Sequence, residues 1–154
     1  MVNIPRRLQI SVVGGSAADK KTLAMARAVG AVIGARGAVL ICGGLGGVME
    51  AAARGAKDKG ALTVGIIPNY RMASANRFID IVIPSGLGHA RNVLVAAAGE
   101  IVIAFPGSHG TRSEISIALI LGKRVLGIRA WGEIHGVTQL NSLEELEDTI
   151  MLKI

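Results

Sequence analysis

Chemistry in this 154-residue chain centres on one carboxylate, one arginine and several glycine-rich loops. The carboxylate is Glu114, at the end of Pro106-Gly-Ser-His-Gly-Thr-Arg-Ser-Glu114. An apolar, strand-like run, Ile101 to Ile103, stops just before this stretch, and a helix-like pattern begins at Thr111. The loop of Pro106, Gly107, Ser108, His109, Gly110 and Thr111 therefore lies at a helix N-terminus. Unpaired backbone N–H groups and the positive helix end suit an anion there, most simply a phosphate. Glu114 would add a carboxylate one turn inside. Thr111-x-x-Glu114 also matches a capping box, in which the carboxylate satisfies the N-cap amide; the two roles are not exclusive.

Two more glycine clusters follow strand-like runs: Gly14, Gly15 and Ser16, and Gly43, Gly44, Gly46 and Gly47. The second fails the G-x-G-x-x-G dinucleotide fingerprint, because Glu50 occupies the last glycine position, and no Lys-Ser/Thr follows to make a P-loop. Glycines there let backbone approach a ligand closely, and tight turns explain part of the set. Arg91, just inside a helix after Gly88, suits bidentate phosphate binding or a solvated surface. Its neighbour Asn92 suits a ribose contact or a helix start. His89, His109 and His135 have no metal-ligand spacing with each other or with Cys42, so no metal site is expected. Gly-Ser108-His109-Gly is not a G-x-S-x-G nucleophile elbow.

The elements that must position these residues alternate. Strands are expected at Leu8–Val13, Ala38–Ile41, Leu62–Ile67, Ile79–Ile83, Glu100–Phe105 and Arg124–Ile128. Helices are expected from an Asp19 cap to about Gly34, at Val48–Lys59, from about His89 to Ala98, and at Thr111–Gly122. A last helix follows a Ser142–Glu145 capping box. Residues 69–78 read as a polar excursion, and a loop runs through Trp131 and His135. Continuous Val/Ile/Leu strands alternating with helices predict a Rossmann-like, doubly wound, mainly parallel α/β sheet of about six or seven strands, with helices on both faces. Right-handed crossovers bring the glycine clusters to one sheet edge, at a topological switch point.

Composition narrows the classes. The length fits one domain spanning 1–154, and 51% hydrophobic against 18% charged residues excludes a mainly disordered chain. Only 3% are aromatic, so the core must be aliphatic. The single cysteine, Cys42, excludes an internal disulfide framework and fits a reducing cytoplasm. Met1 to Arg7 is polar and basic without a signal-peptide pattern. No run reaches the roughly 20 apolar residues that span a bilayer. The net charge of +6 favours anionic partners, but the basic residues are scattered without aromatic interleaving, which points to a small phosphorylated ligand rather than nucleic acid.

The assembled motifs resemble the LOG-like family of cytokinin-activating phosphoribohydrolases, often labelled lysine decarboxylases. The likeness is closest to the short branch that includes molybdenum cofactor carrier proteins. It rests on Val12-Val-Gly-Gly-Ser16, Cys42-Gly-Gly-Leu-Gly-Gly-Val-Met-Glu50, Gly65-Ile-Ile-Pro68, Ala90-Arg-Asn92 and the Pro106–Glu114 stretch. The resemblance adds Met49 and Glu50 to the ligand-binding set. It implies hydrolysis of the N-glycosidic bond of a nucleoside 5′-monophosphate, with Glu114 and Arg91 catalytic and no cofactor required. The alternative from a different class is a non-catalytic carrier of a phosphate-bearing cofactor, such as the molybdenum cofactor. A DNA-processing protein is disfavoured, because no added nucleic-acid domain is present. Ser108 replaces the second glycine of the enzymes' P-G-G-x-G-T-x-x-E signature, and Cys42 the first of their usual G-G-G. Both departures bear on catalysis more than on binding. The resemblance also implies a homodimer or homotetramer, for which alanine-rich helices around 48–56 and 91–98 would be available.

Overall fold

The computed structural model describes residues 5–151; Met1 to Ile4, part of the polar, basic start, lie outside the described residues. In chain order the elements are β1 (Gln9–Val13), α1 (Lys20–Ala35), β2 (Val39–Cys42), α2 (Val48–Lys57), β3 (Thr63–Ile67), β4 (Ile81–Pro84), α3 (Asn92–Ala98), β5 (Ile101–Ala104), α4 (His109–Ile120), β6 (Arg124–Ile128), β7 (Val137–Leu140) and α5 (Leu143–Met151). The sheet runs β4-β3-β2-β1-β5-β6-β7, and every neighbouring pair is parallel. The chain steps outward from β1 to β4, returns to β5 on β1's other side, and steps outward again. The strand order therefore reverses between β1 and β5, which opens a crevice at their C-terminal ends.

Strand residues split by parity between two aliphatic cores. Ile10, Val12, Leu40, Ile101 and Ile103 join Val29, Ile33, Ala52, Leu146 and Ile150, so α1, α2 and α5 cover one face. Val13, Val39, Ile41, Val102 and Val125 join Val95, Ile115 and Ala118 beneath α3 and α4. Each fully buried aliphatic side chain contributes roughly 1.5–3 kcal/mol, which is why a chain almost without aromatics can hold this sheet. Asp19 caps α1 as expected, its carboxylate accepting from the Thr22 amide at 2.7 Å.

Three expectations need correction. Helix α4 begins at His109 with Ser108 as N-cap, so Thr111 is already inside the helix and the Thr111–Glu114 capping box does not form. The stretch expected to begin a helix at His89 is a 3-10 turn, Gly88–Arg91, that feeds α3 at Asn92. The loop after β6 contains β7, whose Val137-Thr-Gln-Leu140 is too short and mixed to stand out, yet pairs with β6 across its length. At α5, Ser142 Oγ accepts from the Glu145 amide at 3.2 Å, while the Glu145 carboxylate accepts from the Asn141 amide at 2.8 Å.

Candidate functional site

The site starts from four strand-end loops. The turn after β1 is locked to the turn after β5, with the Gly15 amide donating to Pro106 O at 2.9 Å. It is also locked to the start of α2, with the Val48 amide donating to Gly15 O at 3.0 Å. The 69–78 excursion braces the third loop: the Asn76 amide donates to Gly44 O, and its Nδ2 donates to Leu45 O, both at 2.8 Å. The 3-10 turn before α3 supplies the fourth wall. Between them lies a cleft of about 160 Å³ lined by residues of all four segments, Glu114 and Arg91 among them.

Arg91 and Glu114 are buried, only 8% and 6% exposed, and their Nη1 and Oε1 atoms lie 3.6 Å apart. Arg91 also donates from Nη1 to Asn92 Oδ1 and, at 3.5 Å, from Nη2 to Gly43 O. Gly43 is glycine for a visible reason: a Cβ there would come 2.6 Å from Arg91 Nη2. Asn92 ties the arginine to α4, its Nδ2 donating to Ser113 Oγ at 3.1 Å and to Gly110 O at 3.4 Å. Arg91 Nε is buried without a hydrogen-bond partner among the described residues. A buried donor left without a partner is costly.

Burial pushes the Glu114 carboxyl up to about 7, against the opposing pull of Arg91. Burial also lowers the Arg91 pKa, opposed by Glu114. At neutral pH the pair therefore stands near the point where the carboxyl exchanges its proton. Beneath them Cys42 is fully buried, its thiol pushed up to about 11 by burial. No group of three or more metal-ligating side chains occurs among the described residues. Likewise, no helix of the described residues is long and apolar enough to cross a membrane.

Of the residues expected at the site, the cleft brings together Gly14, Ser16, Gly43, Met49, Arg91, Asn92, Ser108, Gly110, Thr111 and Glu114. Gly47 and Glu50 instead line a groove between α1 and α2 beside Arg54 and Phe78. Pro106 and Gly107 line a second cavity, on the α1 side. Gly15 bonds to Pro106, Gly44 packs on Gly65 and Ile67, and His109 is the exposed first residue of α4. Gly46, in the loop before α2, lines none of these cavities. His89, Val12, Val13 and Leu45, not among the expected site residues, also line the cleft. His89 has no metal-ligand spacing; its place two residues before Arg91, after a strand end, is the signal the sequence offers.

A sequence model of the SLOG cluster4 family matches residues 7–152. An uncharacterized protein of Archaeoglobus fulgidus is 45% identical over 138 residues, covering 90% of this chain and 91% of its own. Among solved structures, the molybdenum cofactor binding protein of the phototrophic bacterium Rippkaea orientalis superposes with a TM-score of 0.91 at 34% identity, covering 96% of this chain and 97% of its own. The molybdenum cofactor carrier protein of Chlamydomonas reinhardtii superposes with a TM-score of 0.87 at 27% identity, over 96% and 98% of the two chains. The chain belongs to the SLOG cluster4 family.

Proposed function

We propose that the chain binds a small phosphorylated ligand in the Arg91–Glu114 cleft and carries it without cleaving it, and that this ligand is the molybdenum cofactor. The observation that carries this reading is Arg91 itself, a buried guanidinium in the cleft whose Nε has no partner among the described residues. The N-terminal amides of α4 and the Arg91 fork would hold the phosphate, the donor set that an anionic group needs. Similarity to cofactor-binding and carrier proteins over 96% of the chain supports the choice of cargo.

Hydrolysis of a nucleoside 5′-monophosphate is the second reading, favoured by one feature: the Glu114 carboxyl at about 7 is suited to proton transfer at neutral pH. Incubation with AMP and related monophosphates separates the two. The carrier reading expects bound nucleotide or cofactor and no free base; base release that is lost in Glu114→Gln would overturn it in favour of the enzyme. The proposal further takes residues 1–154 as one cytoplasmic binding unit that assembles as a dimer or tetramer. The exposed apolar residues Val93 and Leu94 of α3, with Ile120 and Leu121 at the end of α4, support assembly.

A further inference from the structure

Beside the cleft lies a larger cavity, about 560 Å³, which shares Ser16 and Ser108 with it and adds Asp19, Thr22 and Arg129. The wall between the two is the contact of the β1 and β5 turns, where Gly15 bonds to Pro106. A side chain on Gly107 would overlap Thr111 Oγ1. Glycine at 15 and 107 thus keeps this wall free of side chains.

The two cavities differ in charge. The cleft offers Arg91 beside a carboxyl that is readily protonated, which suits an anion. The larger cavity pairs a cation, Arg129, with a carboxylate, Asp19. Thr22 bonds hold the Asp19 carboxyl below its ordinary value, and the Arg129 charge adds to the effect. A second phosphate would meet Asp19 as a like charge. A neutral, planar ring meets both groups favourably: the carboxylate accepts from N–H donors at its edge, and a guanidinium stacks on its face.

The backbone segment that carries the exposed Arg129 is also constrained. It and Trp131 are the non-glycine residues with left-handed backbone among the described residues, at φ 62° and 73°. Such conformations persist only where the surroundings enforce them, and they cluster at functional sites. Here the enforcement is visible, because the buried Trp131 indole donates to Phe105 O at 2.8 Å. Gln139 Nε2 additionally donates to Ala130 O.

We propose that the Asp19–Arg129 cavity is a second subsite that takes the heterocyclic end of the phosphorylated ligand. Asp19 selects rings that present two adjacent donors, a ring N–H and an exocyclic amine, as guanine and pterins do. The proposal rests on reading the neighbouring cleft as the phosphate site.

The test compares GMP, IMP and ribose 5-phosphate by titration calorimetry. IMP lacks the exocyclic amine, and ribose 5-phosphate has no ring. The wild type should bind GMP about tenfold tighter than IMP, the scale of one hydrogen bond to a charged acceptor. Asp19→Asn should bring the two within about twofold while ribose 5-phosphate binding and the melting temperature hold, since asparagine caps a helix as well as aspartate. Arg129→Ala should weaken GMP and IMP together and spare ribose 5-phosphate. Equal GMP and IMP affinities in the wild type, or an unchanged preference in Asp19→Asn, would overturn the subsite while the phosphate cleft stands. Failure of all three ligands to bind would overturn both.

Discussion

Two glycine-rich regions of this fold use the same residue for opposite ends. Where α1 meets α2, Gly30 lies against the backbone carbonyl of Ala52 and Gly55 against that of Arg27, so tightly that neither site has room for a Cβ. The helices touch backbone to backbone, and the space is full. At the carboxyl edge of β1, β2 and β5, glycines instead leave a cleft, and Gly43 makes room for a buried arginine. Glycine density therefore does not distinguish a packing seam from a binding site. Buried charge with an unmet hydrogen bond does: the cleft holds Arg91, Glu114 and an orphaned Nε.

The largest effect that can break this contrast is steric. Gly55→Leu should destabilise the fold by about 3 kcal/mol or more, because a side chain there meets backbone that cannot rotate away. Urea unfolding measures it, and a near-neutral result would mean that the seam is not close-packed.

The next effect belongs to the cleft and depends on pH. The Glu114 carboxyl stands at about 7 in the fold against an ordinary 4.5. The folded state thus holds this proton more tightly than the unfolded state does. The associated stability is fully present below about pH 4.5 and is lost as the pH rises to about 7, by about 3 kcal/mol at most. Glu114→Gln should remove that decline, so the variant's own profile flattens and the wild-type-minus-variant difference in unfolding free energy falls between these limits. A variant that declines as steeply as the wild type contradicts the assignment. Ligand binding should follow the same sign: an anion on Arg91 leaves Glu114 without its partner, so binding takes up a proton and weakens as pH rises through neutrality.

Smaller effects sharpen the picture. Arg91→Lys keeps the charge but loses Nε and the planar fork, so ligand affinity should fall about tenfold with the fold intact. Cys42, fully buried with its thiol near 11, should resist a thiol reagent at pH 8 until the chain unfolds. Prompt labelling of the native protein would show that the loop after β2 opens. Cys42→Ser, which retains an acceptor for the Gly44 amide now bound by Sγ at 3.3 Å, should cost only about 1 kcal/mol.

Much of this was legible in the chain because its signals are local. Continuous Val/Ile strands, an Asp19 cap and glycines after strand ends locate most elements of the fold and the edge where the loops converge. Helix α4 starts earlier than its pattern suggests because Thr111-x-x-Glu114 satisfies a capping motif that Ser108 pre-empts three residues earlier. Nothing local tells Glu114 that its partner is Arg91, which is brought to it by the packing of α3 beside α4 on one face of the sheet. Strand β7 escaped because its identity lies in its pairing with β6, not in its own four residues. The Asp19–Arg129 cavity escaped for the same reason, since the α1 cap and the end of β6 meet only in the folded chain.

The most direct test of the central claim is cofactor retention. The purified wild type and Arg91→Ala would each be incubated anaerobically with molybdenum cofactor, passed over a desalting column, and assayed for molybdenum and for cofactor that can still activate a cofactor-free molybdenum enzyme. The carrier reading predicts about one active cofactor per wild-type chain and a loss on the order of a hundredfold in affinity for Arg91→Ala. Wild-type protein that emerges without cofactor, or Arg91→Ala that retains it equally well, would contradict it.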